Sequence, residues 1–136
     1  MVKLLMRYPE ALSKPLGKER IWIRGMEYGI LNGDRVDLVA QDHAVTSVGP
    51  DTTCYAIEVK SGKGDHEILG QLKKAVNALG KIGSACHHWK HTVGISVAKK
   101  YTESGLSLLL EEGMIPLVWR EDKKSGQIWM TRAKRH

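Results

Sequence analysis

Glu58 and Lys60 stand one residue apart in Cys54-Tyr55-Ala56-Ile57-Glu58-Val59-Lys60, a run whose apolar content reads as a strand. Side chains alternate along a strand, so Glu58 and Lys60 share one face while Ile57 and Val59 point into the core. Asp37 lies in a similar run, Arg35-Val36-Asp37-Leu38-Val39-Ala40, with Val36 and Leu38 on its opposite face. A carboxylate inside an apolar strand costs free energy unless a metal or a partner compensates it. If the two strands pair, Asp37 and Glu58 converge on one hard cation. Two carboxylates, a main-chain carbonyl and waters form a donor set that Mg²⁺ accepts. That chemistry suits phosphodiester hydrolysis, in which a metal acidifies water and shields phosphate charge. Lys60 is placed to orient the water or stabilise the developing charge. Gln71 follows on the next helix, within reach of the water or the phosphate.

The elements that must hold these residues can be read from the punctuation. Residues 1–20 contain Pro9 and Pro15, which limit any helix there to a short piece. Ile21 to Leu31 reads as a first strand, bent at Gly25 and Gly29. Asn32-Gly33-Asp34 is a hairpin-type turn before the Asp37 strand, and Gly49-Pro50-Asp51 is another before the Glu58 strand. Ser61-Gly62-Lys63-Gly64 breaks the pattern. Asp65 caps an amphipathic helix over roughly 66–82, carried by Ile68, Leu69, Leu72, Val76 and Leu79 and ended by Gly80 and Gly83. Thr92–Ala98 suits a buried strand. Thr102 caps a second helix, which Gly113 ends. Ile115–Trp119 reads as a near-edge strand because Pro116 cannot donate to a ladder, and Gln127–Met130 as a last edge strand. The order β-β-β-α-β-α-β, with the optional last strand, predicts an α/β (α+β) domain of three layers around a mixed sheet.

Asp37, Glu58-Val59-Lys60 and Gln71, in this order and on these elements, resemble the PD-(D/E)XK nuclease superfamily and its restriction-endonuclease-like fold. The similarity runs from Glu27 through Ala98. Gly33-Asp34-Arg35-Val36-Asp37-Leu38-Val39, Ile57-Glu58-Val59-Lys60-Ser61-Gly62 and Leu69-Gly70-Gln71-Leu72 resemble two groups within it. These are the NucS/EndoMS catalytic domain and the archaeal Holliday-junction resolvases. The resemblance implies Asp37, Glu58 and the Val59 carbonyl as metal ligands, Lys60 and Gln71 as catalytic partners, Mg²⁺ with Mn²⁺ as a substitute, and a 5′-phosphate product. No proline precedes Asp37, and the N-terminal helix with an early glutamate found in the resolvases is not legible. Glu27, on the first strand, is the candidate for that extra carboxylate.

Composition agrees. The chain has 136 residues, 42% of them hydrophobic, enough for one domain over 1–136 with a basic tail at 132–136. Its formal charge of +6 and pI near 9.4 suit a polyanionic partner. Lys63, Lys73 and Lys74 are candidate phosphate contacts, and Gly62 permits close approach of a backbone. Cys54 and Cys86 make no disulfide framework, which points to a reducing, cytoplasmic setting. No apolar run approaches the roughly 20 residues of a membrane span. Among rival features, Asp34 has a local turn role and Asp42 is expected to be solvated. Cys86-His87-His88-Trp89-Lys90-His91 has no common zinc spacing and is expected to be an exposed loop. Trp22, Trp89, Trp119 and Trp129 are expected in core or interface rather than as base-stacking platforms.

The expectation is therefore a Mg²⁺-dependent DNA endonuclease for repair or recombination. Its small size favours recognition of branched or otherwise non-standard duplex over base sequence. Cutting both strands calls for a homodimer, with Trp119, Trp129 and the C-terminal strands as its interface. Three rivals stand beside it: a symmetric Holliday-junction resolvase, a nucleic-acid-binding module without turnover, and a nuclease subunit inactive in isolation.

Overall fold

A computed structural model of the chain describes residues 1–30, 33–44, 51–86 and 88–135. The elements run α1 (Val2–Arg7), α2 (Glu10–Leu16), β1 (Trp22–Gly29), β2 (Arg35–Gln41), β3 (Thr53–Val59), β4 (Lys63–Gly64), α3 (Glu67–Cys86), β5 (His91–Ala98), β6 (Lys100–Tyr101), α4 (Glu103–Glu111), β7 (Ile115–Glu121) and β8 (Ile128–Arg132). Among the described residues, six strands form one sheet in the order β1-β2-β3-β5-β7-β8. The β1-β2-β3 meander is antiparallel, β3-β5-β7 is parallel, and β8 returns antiparallel on the edge. The short β4 and β6 pair separately.

Alternation along the strands divides the core between two faces. Leu38, Ala40, Tyr55, Ile57, Ile95, Val97 and Leu117 meet Leu5, Leu12 and Leu16 of the N-terminal helices on one face. Val39, Cys54 and Ala56 meet Ala75 and Leu79 of α3 on the other. Leu72 and Ile68 join Leu109 of α4 there. The predicted three-layer arrangement around a mixed sheet is thus present. No helix among the described residues is long and apolar enough to cross a membrane.

Several elements depart from the sequence reading. The N-terminal segment holds two short helices, broken between them at Tyr8 and Pro9. Pro15 lies in the last turn of α2, where Leu12 and Leu16 anchor the helix in the core. Helix α3 continues past Gly80 and Gly83 to Cys86. Gly83 serves a close approach, because a Cβ there would collide with the Trp89 ring, whose indole N–H donates to the Leu79 carbonyl.

Strand β7 does not depart: it lies next to the edge strand β8, in the near-edge place that Pro116 predicts. The Pro116 carbonyl accepts from the Ala133 amide, so its missing donor faces the β8 side, where the ladder has already ended at Leu117 and Arg132. The Asp65 and Thr102 caps are made, to the amides of Glu67 and Gly105, and α4 closes before Gly113. Asn32, Gly49 and Pro50 of the two predicted turns lie outside the described residues, as does His87. Trp89 is buried, Trp119 packs on the core, and Trp129 is 44% exposed.

Candidate active site

The β2–β3 ladder pairs Leu38 with Ile57, which places Asp37 across from Glu58 one step further on. Residues in such a non-hydrogen-bonded antiparallel position bring their side chains closest together. Both project on the face covered by α3. The regular ladder stops here. The Val59 amide donates to Asp37 Oδ2 at 2.8 Å instead of to a β2 carbonyl, and the strands part. The N–H and C=O of one strand residue point to the same side, so the Val59 carbonyl faces the gap as well. On the other side β3 stays attached to β5 through the Lys60 amide and the Val97 carbonyl, 2.8 Å apart.

The electrostatics of this gap are unusual for half-buried carboxylates. The Glu58 pKa is pushed up to about 8. Burial is the main cause, followed by the hydrogen bond and the negative charge of Asp37. The Asp37 amide and the Lys60 ammonium offset only part of it. Two acidic oxygen donors therefore converge with too little positive charge to ionise both, which is the environment a hard divalent cation corrects. The donor chemistry fits Mg²⁺, which commonly takes one or two carboxylates and keeps several waters. Among the described residues no group of three or more His, Cys, Asp or Glu side chains is assembled for a metal.

Lys60 lies one step past Val59 and half-buried, on the same face as Glu58. Gln71 is exposed near the start of α3. It continues the stripe of Ala75 and Ala78, and Ala75 packs in one cluster with Ala56. Gln71 thus lies one helical turn before Ala75, on the α3 stripe that faces the sheet. Glu27 falls opposite Asp37 in the β1–β2 register, between the Met26–Leu38 and Tyr28–Val36 pairs. It is exposed, however, and its φ of 45° is a left-handed conformation that costs a non-glycine residue energy. It is not among the groups that shift Glu58.

The predicted phosphate contacts separate into two sets. Lys63, on β4, and Gly62 are exposed beside the end of β3. Gly62 also accepts from the Lys99 amide. Lys73 is turned toward α4, where it pairs with Glu112 at 3.3 Å, and Lys74 is exposed further along α3.

Asp42 is not solvated. It accepts from Lys18 at 3.2 Å and from His43 and the Thr53 amide at 2.9 Å, with its side chain 7% exposed. Burial would raise its pKa, but the Thr53 amide, His43 and Lys18 together hold it below the usual carboxylate range. It clamps the far end of β2 rather than competing with Asp37. His88 Nδ1 lies 3.4 Å from Arg24, whose guanidinium also bonds Gln41 and stacks on Trp89. Cys54 and Cys86 are both free, the first buried and the second exposed.

Sequence reasoning missed Tyr101. Its hydroxyl lies 2.9 Å from the Ser96 carbonyl, the Ser96 hydroxyl and the Leu117 carbonyl. Ser96 sits beside Glu58 in the parallel register, so Tyr101 walls the site on the β5 side. Nothing in a lone Tyr after two lysines signals this. The contact arises only when β6 folds back to pair with β4.

No protein-family model matches the chain, and no curated protein matches it in sequence. Solved structures do. A repair endonuclease from Pyrococcus abyssi superposes with a TM-score of 0.64 at 24% identity, over 84% of this chain and 42% of that one. An EndoMS–dsDNA complex gives 0.62 at 23% identity, over 84% and 40%, and EndoMS in its apo form 0.55 at 21%, over 84% and 42%. The chain spans less than half the length of these relatives, and what it shares with them at this identity is the fold of a nuclease-like α/β sandwich.

Proposed function

We propose that this chain is a metal-dependent DNA endonuclease domain of the PD-(D/E)XK type, acting in DNA repair. The observation that carries the reading is the meeting of Asp37 and Glu58 where β2 and β3 part, with Lys60 on the same face. The fold shared with a repair endonuclease and with EndoMS solved on dsDNA supports it. Asp37, Glu58 and the Val59 carbonyl would hold Mg²⁺, with Mn²⁺ as a substitute. When bound, the ion lowers the pKa of water and neutralises phosphate oxygens. Asp37 is pre-oriented for this by the Val59 amide. Lys60 positions the attacking water and stabilises the charge that develops on the phosphate. Gln71 donates to the water or to a phosphate oxygen. The half-buried setting of Asp37, Glu58 and Lys60 strengthens their interactions relative to bulk water.

The test is a gel assay on labelled four-way junction, flap, mismatched duplex, linear duplex and single strand. Each substrate is run with Mg²⁺, Mn²⁺ or EDTA, beside a Glu58→Ala/Lys60→Ala variant. Metal-dependent cutting that the variant lacks is the expected result, and the substrate cut fastest identifies the DNA structure recognised. DNA binding with no cutting in any metal would overturn the reading, as would cutting that survives EDTA.

A further inference from the structure

A second basic surface lies beyond the wall made by β4 and β6. Lys99, Lys100, Arg120, Arg132, Lys134 and Arg135 line one groove of about 520 Å³, and Glu103 is the carboxylate among its lining residues. Of these six cations only Arg135 has an ion-pair partner among the described residues, Glu111 at 3.9 Å. Lys99 lies over the Trp119 ring at 5.0 Å, and Arg132 Nε donates to the Pro15 carbonyl at 2.7 Å. Those contacts fix the side chains but leave their charges unneutralised. The tail is not a free arm. The Ala133 amide donates to the Pro116 carbonyl, and Arg135 reaches the Ser107 carbonyl at 3.5 Å, so the tail is folded along the groove.

The groove lies on the same sheet as the candidate site, across the β4–β6 ridge. Val59 pairs with Val97, Ala98 with Val118, and Val118 with Thr131, so Lys60 shares a row across the sheet with two groove residues. The intervening ridge is itself basic, since Lys63 and Lys100 pair across β4 and β6 and both are exposed. Three steps of about 4.8 Å separate β3 from β8, roughly 14 Å in all, or about four base-pair steps of a duplex.

We infer that this groove holds the sugar-phosphate backbone of duplex DNA about four base pairs from the phosphate at Asp37 and Glu58. The inference rests on the proposed nuclease reading. It adds a separate, sequence-independent backbone site, made by β6, β7, β8 and the tail. A row of unneutralised cations in a concave surface matches a polyanion and releases its counterions on contact.

The experiment measures binding of a fluorescent 30-base-pair duplex by anisotropy in EDTA, so that no cutting intervenes, across a series of salt concentrations. A Lys100→Gln/Arg120→Gln/Lys134→Gln variant is compared with wild type. The control is Lys3→Gln/Lys81→Gln/Lys90→Gln, which removes equal charge from distant surfaces. The groove variant is expected to bind at least ~10-fold more weakly at low salt, with the slope of log K against log salt reduced by about 2.7. The control keeps the wild-type slope. Thermal melts check that both variants fold, and Arg120→Gln alone provides a milder second variant, with a slope reduced by about 0.9. Equal slopes and affinities for the groove variants and wild type would overturn the inference, and so would equal losses in groove variant and control. Failure of the nuclease reading is seen separately, as absence of metal-dependent cutting by wild type, and a slope change confined to the groove variants would support the groove in that case too.

Discussion

Glu58 is the residue whose state responds most to its surroundings. In the metal-free protein its folded pKa of about 8 lies above the ordinary 4.5. The sign follows directly: the folded form binds the extra proton more tightly, so its stabilising contribution is complete below about pH 4.5 and is lost as pH rises through about 8. Melting temperature in EDTA is therefore expected to fall between pH 5 and 8.5, and Glu58→Gln to flatten that slope. A wild-type slope no steeper than that of the variant would contradict the assignment. At pH 8, millimolar Mg²⁺ should raise the melting temperature of wild type by mass action and leave Glu58→Gln unmoved. For turnover, Lys60→Ala and Glu58→Gln are each expected to cost at least ~10²-fold in cleavage rate, measured in single turnover. Asp42 provides the contrast. Its charge is satisfied by Lys18, His43 and Thr53, so Asp42→Asn should lower stability without that specific loss of rate.

At the scale of elements, the site depends on a defect in the sheet and a wall beside it. The defect is the parting of β2 and β3 where Asp37 captures the Val59 amide. The wall is the β4–β6 pair, with Gly64 packed against Tyr101. A Cβ at Gly64 would lie 2.6 Å from the Tyr101 ring, and that ring cannot swing away while its hydroxyl is held by Ser96 and Leu117. Gly64→Ala is expected to destabilise the fold by about 1–3 kcal/mol, as overpacking does. In a Tyr101→Ala background the same change should cost much less, and denaturant melts of the four proteins would give the coupling. Equal costs in both backgrounds would show that the two residues do not press on each other.

At the scale of the whole molecule, Lys100, Arg120 and Lys134 line one groove beside α4, separated from Lys60 by the β4–β6 ridge. The sheet face opposite α4 is closed by α1 and α2. Beside those helices Leu4, Tyr8 and Trp129 are exposed together around an apolar hollow of about 530 Å³. The homodimer expected from the sequence predicts that the chain sediments as a dimer at micromolar concentration. Trp129→Ser should return it to monomer if the proposed use of the C-terminal strands in self-association holds. Trp119 is less suited to that role, because it packs on the core under Lys99.

What the sequence determined by itself was local chemistry and its order. Alternation put Glu58 and Lys60 on one strand face, the period of Ile68, Leu72 and Leu79 announced α3, and Asp65 and Thr102 marked helix starts. These are effects of neighbours a few residues away, so composition and spacing carry them. Gly80 and Gly83 do not end α3, and Gly83 is there for a tertiary contact. Trp89 lies against Gly83, and the end of β8 relieves Pro116 of a donor it lacks. Long-range folding clamps Asp42, turns Lys73 to Glu112 and sets Tyr101 beside the site. It also joined lysines and arginines remote in sequence into one groove. Such outcomes depend on register and on which strand edges meet, and long-range pairing sets both.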